Sequence, residues 1–307
     1  MKTGLLVAAG LALAVLIGAP AAARAASLDF CDREGEPTTD QKDTMLRFAG
    51  IVKDELSASG RDVALISRSG IDLHRIGSRY SHAGVALKES GNGPWSVRQL
   101  YYACDERKPR IFDQGMAGFL FGTDDVESGW ISLVLLPPAD GAPLAAAALD
   151  NAQALRVLGS TYSANAYPFS TRYQNCNQWV MELLAEAWGG FDSGDADART
   201  QAQAWLAREG YAPTVVDVPF RPLMWFVVPF VHVLNNDDHP PADLDQGRYT
   251  LSLPASIEGF VHARVPEATR VEMCHAGRRV VVHQGWDEIA EGCVPGPGDR
   301  VIELAAD

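Results

Sequence analysis

Along residues 39 to 57, TDQKDTMLRFAGIVKDELS, apolar side chains fall at Met45, Phe48, Ile51, Val52 and Leu56, the three-to-four spacing of one helix face. The rhythm then shifts to period two. DVALISRSG (62 to 70) reads as a strand and turn, and YSHAGVALKESGNGPWSVRQLYYAC (80 to 104) as a β-hairpin turning at Gly91, Asn92, Gly93 and Pro94. WISLVLLPP (130 to 138) is a further buried strand ended by prolines, and an alanine-rich helix is expected from about Ala142 to Leu158. After an aromatic loop the helical period returns in TRYQNCNQWVMELLAEAWGG (171 to 190). Counted from Cys176, the apolar positions are Trp179, Val180, Leu183, Leu184, Ala187 and Trp188, and Gly189 and Gly190 stop the pattern. A helical stretch around Thr200 to Glu209 follows, then the apolar run LMWFVVPFVHVL (223 to 234), which is too short to span a bilayer and reads as core or groove wall. From about Ala242 the chain breaks into short strand candidates, RYTLSLP, RVEMCHAGRRVVVHQ and RVIEL. These patterns predict an α+β protein with a core over residues 26–240 and a small β-rich extension over 241–307.

The first residues change the compartment. Lys2 precedes an apolar run from Leu5 to Ile17, and Ala23-Arg24-Ala25 makes an A-x-A cleavage site, so residues 1–25 read as a secretory signal peptide. The expected location is a bacterial periplasm or the exterior, with no transmembrane segment left after signal removal. Formal charge is −13, and losing Lys2 and Arg24 makes it −15. With no basic stripe to offset this, nucleic acid is excluded as a partner and anionic membrane surfaces are disfavoured.

The five cysteines are Cys31, Cys104, Cys176, Cys274 and Cys293. An exported protein oxidises spare thiols, and an odd count leaves one over. Cys274 and Cys293 make a natural local pair, and Cys31 with Cys104 would then tie the N-terminal segment to the core, leaving Cys176 free; spacing alone does not prove this connectivity. Cys176 lies in the first turn of its helix, with Asn175 as N-cap, where unpaired amides and the helix dipole favour thiolate. The plainer reading is a small hydrophobe filling core space.

A nucleophile needs a base. The strand over 80 to 87 places His82, Gly84 and Ala86 on one face, and such small residues would let a helix pack closely. If that helix is the Cys176 helix, His82 stands opposite its N-terminus. On the neighbouring strand Gln99 is polar among Trp95, Val97 and Tyr101, suited to accept from one ring N–H and fix the tautomer. A hydrogen-bonded core histidine and an exposed hairpin glutamine are the structural alternatives.

YSHAGVAL, a hairpin partner, and a helix-start cysteine in NCNQWVMELL 94 residues after His82 resemble the circularly permuted papain-like proteins of the NlpC type. More narrowly, YSHAGVAL, VRQLYYAC and YPFSTRYQNCNQWVMELLA resemble a bacterial family known as a domain of unknown function (DUF 2145), over most of residues 30 to 240. The resemblance implies a permuted papain-like core of antiparallel sheet packed on helices, with Cys176 as nucleophile, His82 as base and Gln99 as orienter. The orienter in such folds is often His or Asn, so Gln99 departs from the pattern.

Tyr162, Tyr167, Phe169 and Tyr173, just before the nucleophile, are candidates to line a substrate groove, with Tyr80 and Tyr173 nearest in sequence as oxyanion donors beside the Cys176 amide. NNDDHPPADLD (235 to 245) gathers Asp237, Asp238, His239, Asp243 and Asp245, but no metal-site spacing, and reads as an acidic surface loop. No serine-elbow, Walker or dinucleotide glycine pattern occurs, so neither a metal nor another cofactor is expected. The expected function is a cysteine hydrolase or acyltransferase acting on an amide, ester or thioester of a small-molecule, peptide or cell-wall substrate, with peptidoglycan stem-peptide amides foremost. A non-catalytic cell-envelope binding protein using the same groove is the alternative.

Overall fold

A computed structural model describes residues 36–191, 197–218, 224, 231 and 233–305. The signal-like segment 1–25, Cys31 and most of the apolar run 223–234 lie outside the described residues. The first helix, α1 (Thr39–Ala58), starts with a capping box between Thr38 and Gln41 and buries Met45, Phe48, Val52 and Leu56. It is followed by β1 (Val63–Arg68), β2 (His82–Leu87), β3 (Ser96–Ala103), β4 (Lys108–Gln114), the short α2 (Met116–Leu120) and β5 (Ser128–Leu135). Next come α3 (Pro138–Leu149), α4 (Asn151–Arg156), α5 (Cys176–Gly189) and α6 (Ala198–Arg208). The chain ends with β6 (Thr214–Asp217), α7 (Pro241–Leu244), β7 (Arg248–Leu251), α8 (Pro254–Arg264), β8 (Thr269–Ala276), β9 (Arg279–Gln284) and β10 (Arg300–Glu303).

Eight strands form one sheet in the order β10-β9-β8-β5-β1-β2-β3-β4, with every neighbouring pair antiparallel; β6 and β7 form a separate two-stranded sheet. The protein is therefore a mixed α+β fold on a large antiparallel sheet. Strand alternation sorts its side chains into two layers. Ala64, Ile66, Ala86, Val97, Ile131, Leu133, Val271 and Met273 pack on α1 and α2. The opposite face receives α3 and α5: Gly141 of α3 lies against Val63, and Arg98, the register partner of Val85, donates to the Ala148 carbonyl at the end of α3.

Three expectations change here. The Cys176 helix does not cross the face carrying His82, Gly84 and Ala86, because that face belongs to α1 and α2; α5 lies over the Val85 side. Gly84 is small for another reason: a Cβ there would stand 2.6 Å from Val97 Cγ1 and 3.0 Å from the Arg98 carbonyl, both on β3. The alanine-rich helix divides at Asp150, which takes an extended conformation (φ −78°, ψ 109°) and caps the second piece by accepting from the Ala152 and Gln153 amides.

Residues 241–307 are β-rich but are not an appendage. Strand β8 pairs with β5 from Ser128↔Ala276 to Leu135↔Thr269, so the tail supplies three of the eight strands, and residues 33–307 form one unit. Backbone pairing to a central strand satisfies amides that an extension would leave open. Cys274 and Cys293 are disulfide-bonded, and Cys104 is in a disulfide as well. Cys176 is a free, buried thiol. No helix among the described residues is long and apolar enough to cross a membrane.

Candidate active site

Helix α5 begins where sequence places it. The Asn175 side chain accepts from the Gln178 amide at 2.7 Å, and its Nδ2 donates to the carbonyls of Ala164 and Ser252, each at 3.3 Å. Asn175 thus spends its side chain on holding the helix start, which leaves little capacity for a substrate. Asn177 Nδ2 donates to the Ser81 carbonyl at 3.2 Å and ties the first turn to the residues leading into β2.

Cys176 is 6% exposed. The backbone amides of Asn177 and Ala83 lie near enough to its sulfur to favour thiolate, and the Tyr162 side chain stands beside it. The Ala83 amide is available for a topological reason. Lys88 N–H bonds Asp62 in line with the β1 register, so the even-numbered residues of β2 bond β1 and the odd ones face β3. Pairing of β2 with β3 stops at Val85↔Arg98, two residues short of Ala83.

Those amides and the Arg68 charge favour thiolate, as the helix position predicts, but they do not prevail. Burial pushes the thiol up to about 11. The expectation of a ready-made thiolate is corrected accordingly: at neutral pH Cys176 carries its proton.

His82, the residue before Ala83, is also buried. Its Nε2 bonds Gln99 Oε1, and Gln99 Nε2 donates to Gln114 Oε1. With Gln99 oriented so, its Oε1 accepts from the ring, which assigns the proton to Nε2 and leaves Nδ1 as the basic nitrogen. Burial lowers His82 to about 3, Arg68 acts in the same direction, and the Gln99 bond opposes them. The imidazole is neutral at pH 7. Among the described residues no hydrogen bond joins it directly to the thiol; one peptide unit, His82–Ala83, connects the two.

Arg68 is the residue that the sequence reading passed over. It is the register partner of His82, it is buried, and its guanidinium lies 5.3 Å from the centre of the Phe119 ring, which also packs on His82 at 5.8 Å. Gly70 and Gly122 wrap it closely enough that a Cβ at either would stand within 2.6 Å of the guanidinium. A cation in the strand VALISR, which is otherwise uncharged, was the available signal.

The other tyrosines fall elsewhere. Tyr80 turns its hydroxyl to Glu272, with Arg270 at 3.5 Å, so the tyrosine at the sulfur is Tyr162 rather than Tyr80. Tyr173 is partly exposed beside Arg172 and Asp237. Tyr167 packs on His239, and its amide donates to Asp238. The segment 235 to 245 lies at the surface, with Asp237, Pro241, Ala242 and Asp245 exposed, but the Asp238 and His239 side chains turn inward and are fully buried. Among the described residues no group of metal-ligating side chains is found.

Residues 55–261 match the model of a family described as an uncharacterized protein conserved in bacteria (DUF2145). The chain belongs to that family. No curated protein matches it, and neither does any solved structure.

Proposed function

We propose that this member of the DUF2145 family is a cysteine hydrolase or acyltransferase built on a permuted papain-like core of the NlpC type. One observation carries the reading: a free, buried Cys176 thiol opens a helix beside the Asn177 and Ala83 amides, and the residue before Ala83 is an imidazole oriented by Gln99. A structural cysteine needs none of this. In the reaction proposed, the thiol proton passes to His82 Nδ1 as sulfur attacks an acyl carbonyl, and the amides hold negative charge. The imidazolium then protonates the leaving amine, alcohol or thiol, and a thioester remains on Cys176. Water or another acceptor gives its proton to His82 and releases the acyl group. Both groups rest neutral, so sulfur and Nδ1 must come together when substrate binds, as apo sites often require.

The disulfides fit an oxidising compartment. Within a periplasm, peptidoglycan stem-peptide amides are the proposed substrate, by fold resemblance and compartment. Burial of the thiol favours a second reading, a non-catalytic envelope-binding protein that uses the groove before α5. Incubation with muropeptides and mass analysis of products separates the two. Hydrolysis or transpeptidation lost in Cys176→Ala and His82→Ala is the expected result. Saturable muropeptide binding without turnover, unchanged in Cys176→Ala, overturns the enzyme.

A further inference from the structure

Strands β1 and β2 are antiparallel neighbours, but residues 69–81 join them in place of a tight turn, so the connection itself does not set where β2 begins. Ser81 is where the two candidate groups meet. Its carbonyl accepts from the side chain of Asn177, the neighbour of Cys176, at 3.2 Å, and the next residue is His82. The two residues before Ser81 are held by side-chain bonds to one carboxylate. Arg79 Nη1 donates to Glu272 Oε1 at 3.0 Å, and the Tyr80 hydroxyl donates to the same oxygen. The Arg79 guanidinium also lies 4.0 Å from the centre of the Trp130 ring.

Glu272, on β8, is fully buried, and its other donors come from two places. Arg270 Nη2 reaches Oε1 at 3.1 Å, and the Ile289 amide reaches Oε2 at 2.6 Å. Ile289 lies between β9 and β10, in a segment that also offers the Asp287 carbonyl to Arg270 and the Glu291 carboxylate to Arg79. The Cys274–Cys293 disulfide fastens that segment to β8, two residues beyond Glu272. Apolar packing would stabilise this interior at less cost, because Arg79, Arg270, Glu258 and Glu272 are all taken largely out of water. What the cluster adds over apolar side chains is direction, since each bond fixes an orientation as well as a distance.

We propose that Glu272 is a positioning residue for the Cys176–His82 pair, holding Tyr80, and through it Ser81, while the Cys274–Cys293 disulfide keeps its donors in place. The inference rests on the pairing used in the proposed hydrolase. It is read on the thiol and the imidazole without substrate, so a lack of turnover and a failure of positioning are separate results. Tyr80→Phe removes the hydroxyl bond and keeps the ring. With Ser81 loosened, water reaches both groups, and because burial is the largest influence on each, both should move towards their ordinary values. The pH profile of iodoacetamide alkylation at Cys176, located by peptide mapping, should shift down by about one unit, or about tenfold more thiolate at pH 7. The NMR titration of His82 should shift up. Cys274→Ala combined with Cys293→Ala should move both in the same directions. Val52→Ala, which weakens the α1 core on the face of the sheet opposite Glu272, should leave both in place. Unmoved profiles in folded Tyr80→Phe, or equal shifts in Val52→Ala, overturn the proposal. If the disulfide variant fails to fold, Tyr80→Phe still decides.

Discussion

Two polar assemblies are buried at the N-terminal half of α5, and they are built on opposite plans. Within the helix, Glu182 has a fully buried side chain, and both oxygens are filled: Oε2 takes Gln174 at 2.6 Å and Arg199 Nε at 2.7 Å, and Oε1 takes Gln203 at 2.7 Å, Arg199 Nη2 at 3.0 Å and Gln178 at 3.1 Å. Arg199 also donates to the carbonyls of Thr171 and Tyr173, so the network braces the loop that delivers Cys176. At the mouth, a thiol and an imidazole are equally buried, yet each holds a proton its surroundings displace from the ordinary range. The first assembly fills both oxygens of its carboxylate and fixes a shape. The second keeps reactive capacity in reserve, which is what separates a candidate site from a brace.

The largest expected effect comes from breaking the brace. Arg199→Ala leaves Glu182 buried without its cation, whether it stays charged or takes up a proton, and should cost about 3–5 kcal/mol of stability in urea unfolding. Cys176→Ala should change stability far less, although both residues serve the same helix. A cost for Arg199→Ala no greater than that for Cys176→Ala would erase the distinction. Gly84→Val comes next, at about 1–3 kcal/mol, from overpacking against Val97 and the Arg98 carbonyl.

These contrasts also show which parts of the molecule the sequence made legible. Local periodicity located α1, the β2–β3 hairpin, β5 and α5 with its Asn175 cap, because each is decided by neighbours in the chain. What periodicity does not carry is which element faces which. The His82 face was read as the seat of α5 because its residues are small, but α1 occupies it, and Gly84 is small for the sake of β3. Likewise the tail strands read as an appendage, since nothing local reveals that β8 pairs with β5. At the site, Cys176, His82 and Gln99 were visible as unusual residues in regular patterns. Arg68 and the Ala83 amide were not: one acts through charge across strands, and the other through a backbone group freed by the end of a ladder.

Stability should also depend on pH on both flanks, with opposite signs. In the unfolded chain the His82 imidazole takes a proton near its ordinary 6.5, and in the folded protein only near 3. Acidification from 6.5 towards 3 therefore favours unfolding, and the stability present above 6.5 is lost across that window. Cys176 works in reverse: the thiol holds its proton to about 11 when folded and releases it near 9.0 when unfolded, so stability present below 9.0 declines as pH rises through 11. Urea midpoints measured against pH should fall on each side, with His82→Phe flattening the acid limb and Cys176→Ser the alkaline one. Variants that leave both limbs unchanged would show that these groups are not buried in solution as they are here.

The smallest effect is the most specific to the site. Iodoacetamide should alkylate native Cys176 slowly at pH 7, with a rate that climbs towards pH 11 instead of levelling near the free-thiol range of about 8.5. Arg68 is one of the groups that pull the thiol down, so Arg68→Met should move this profile to still higher pH. The same substitution should raise the pKa of His82, because the guanidinium opposes the imidazolium. A loosened fold would expose the thiol and move its profile down towards the ordinary range, so the direction at sulfur separates lost charge from lost packing. NMR titration of His82 in folded Arg68→Met supplies the second sign, and Arg68→Lys should restore part of both shifts by keeping a cation on β1. An Arg68→Met protein that alkylates faster than wild type at pH 7, or whose His82 titration is unmoved, would remove Arg68 from the electrostatics of the site.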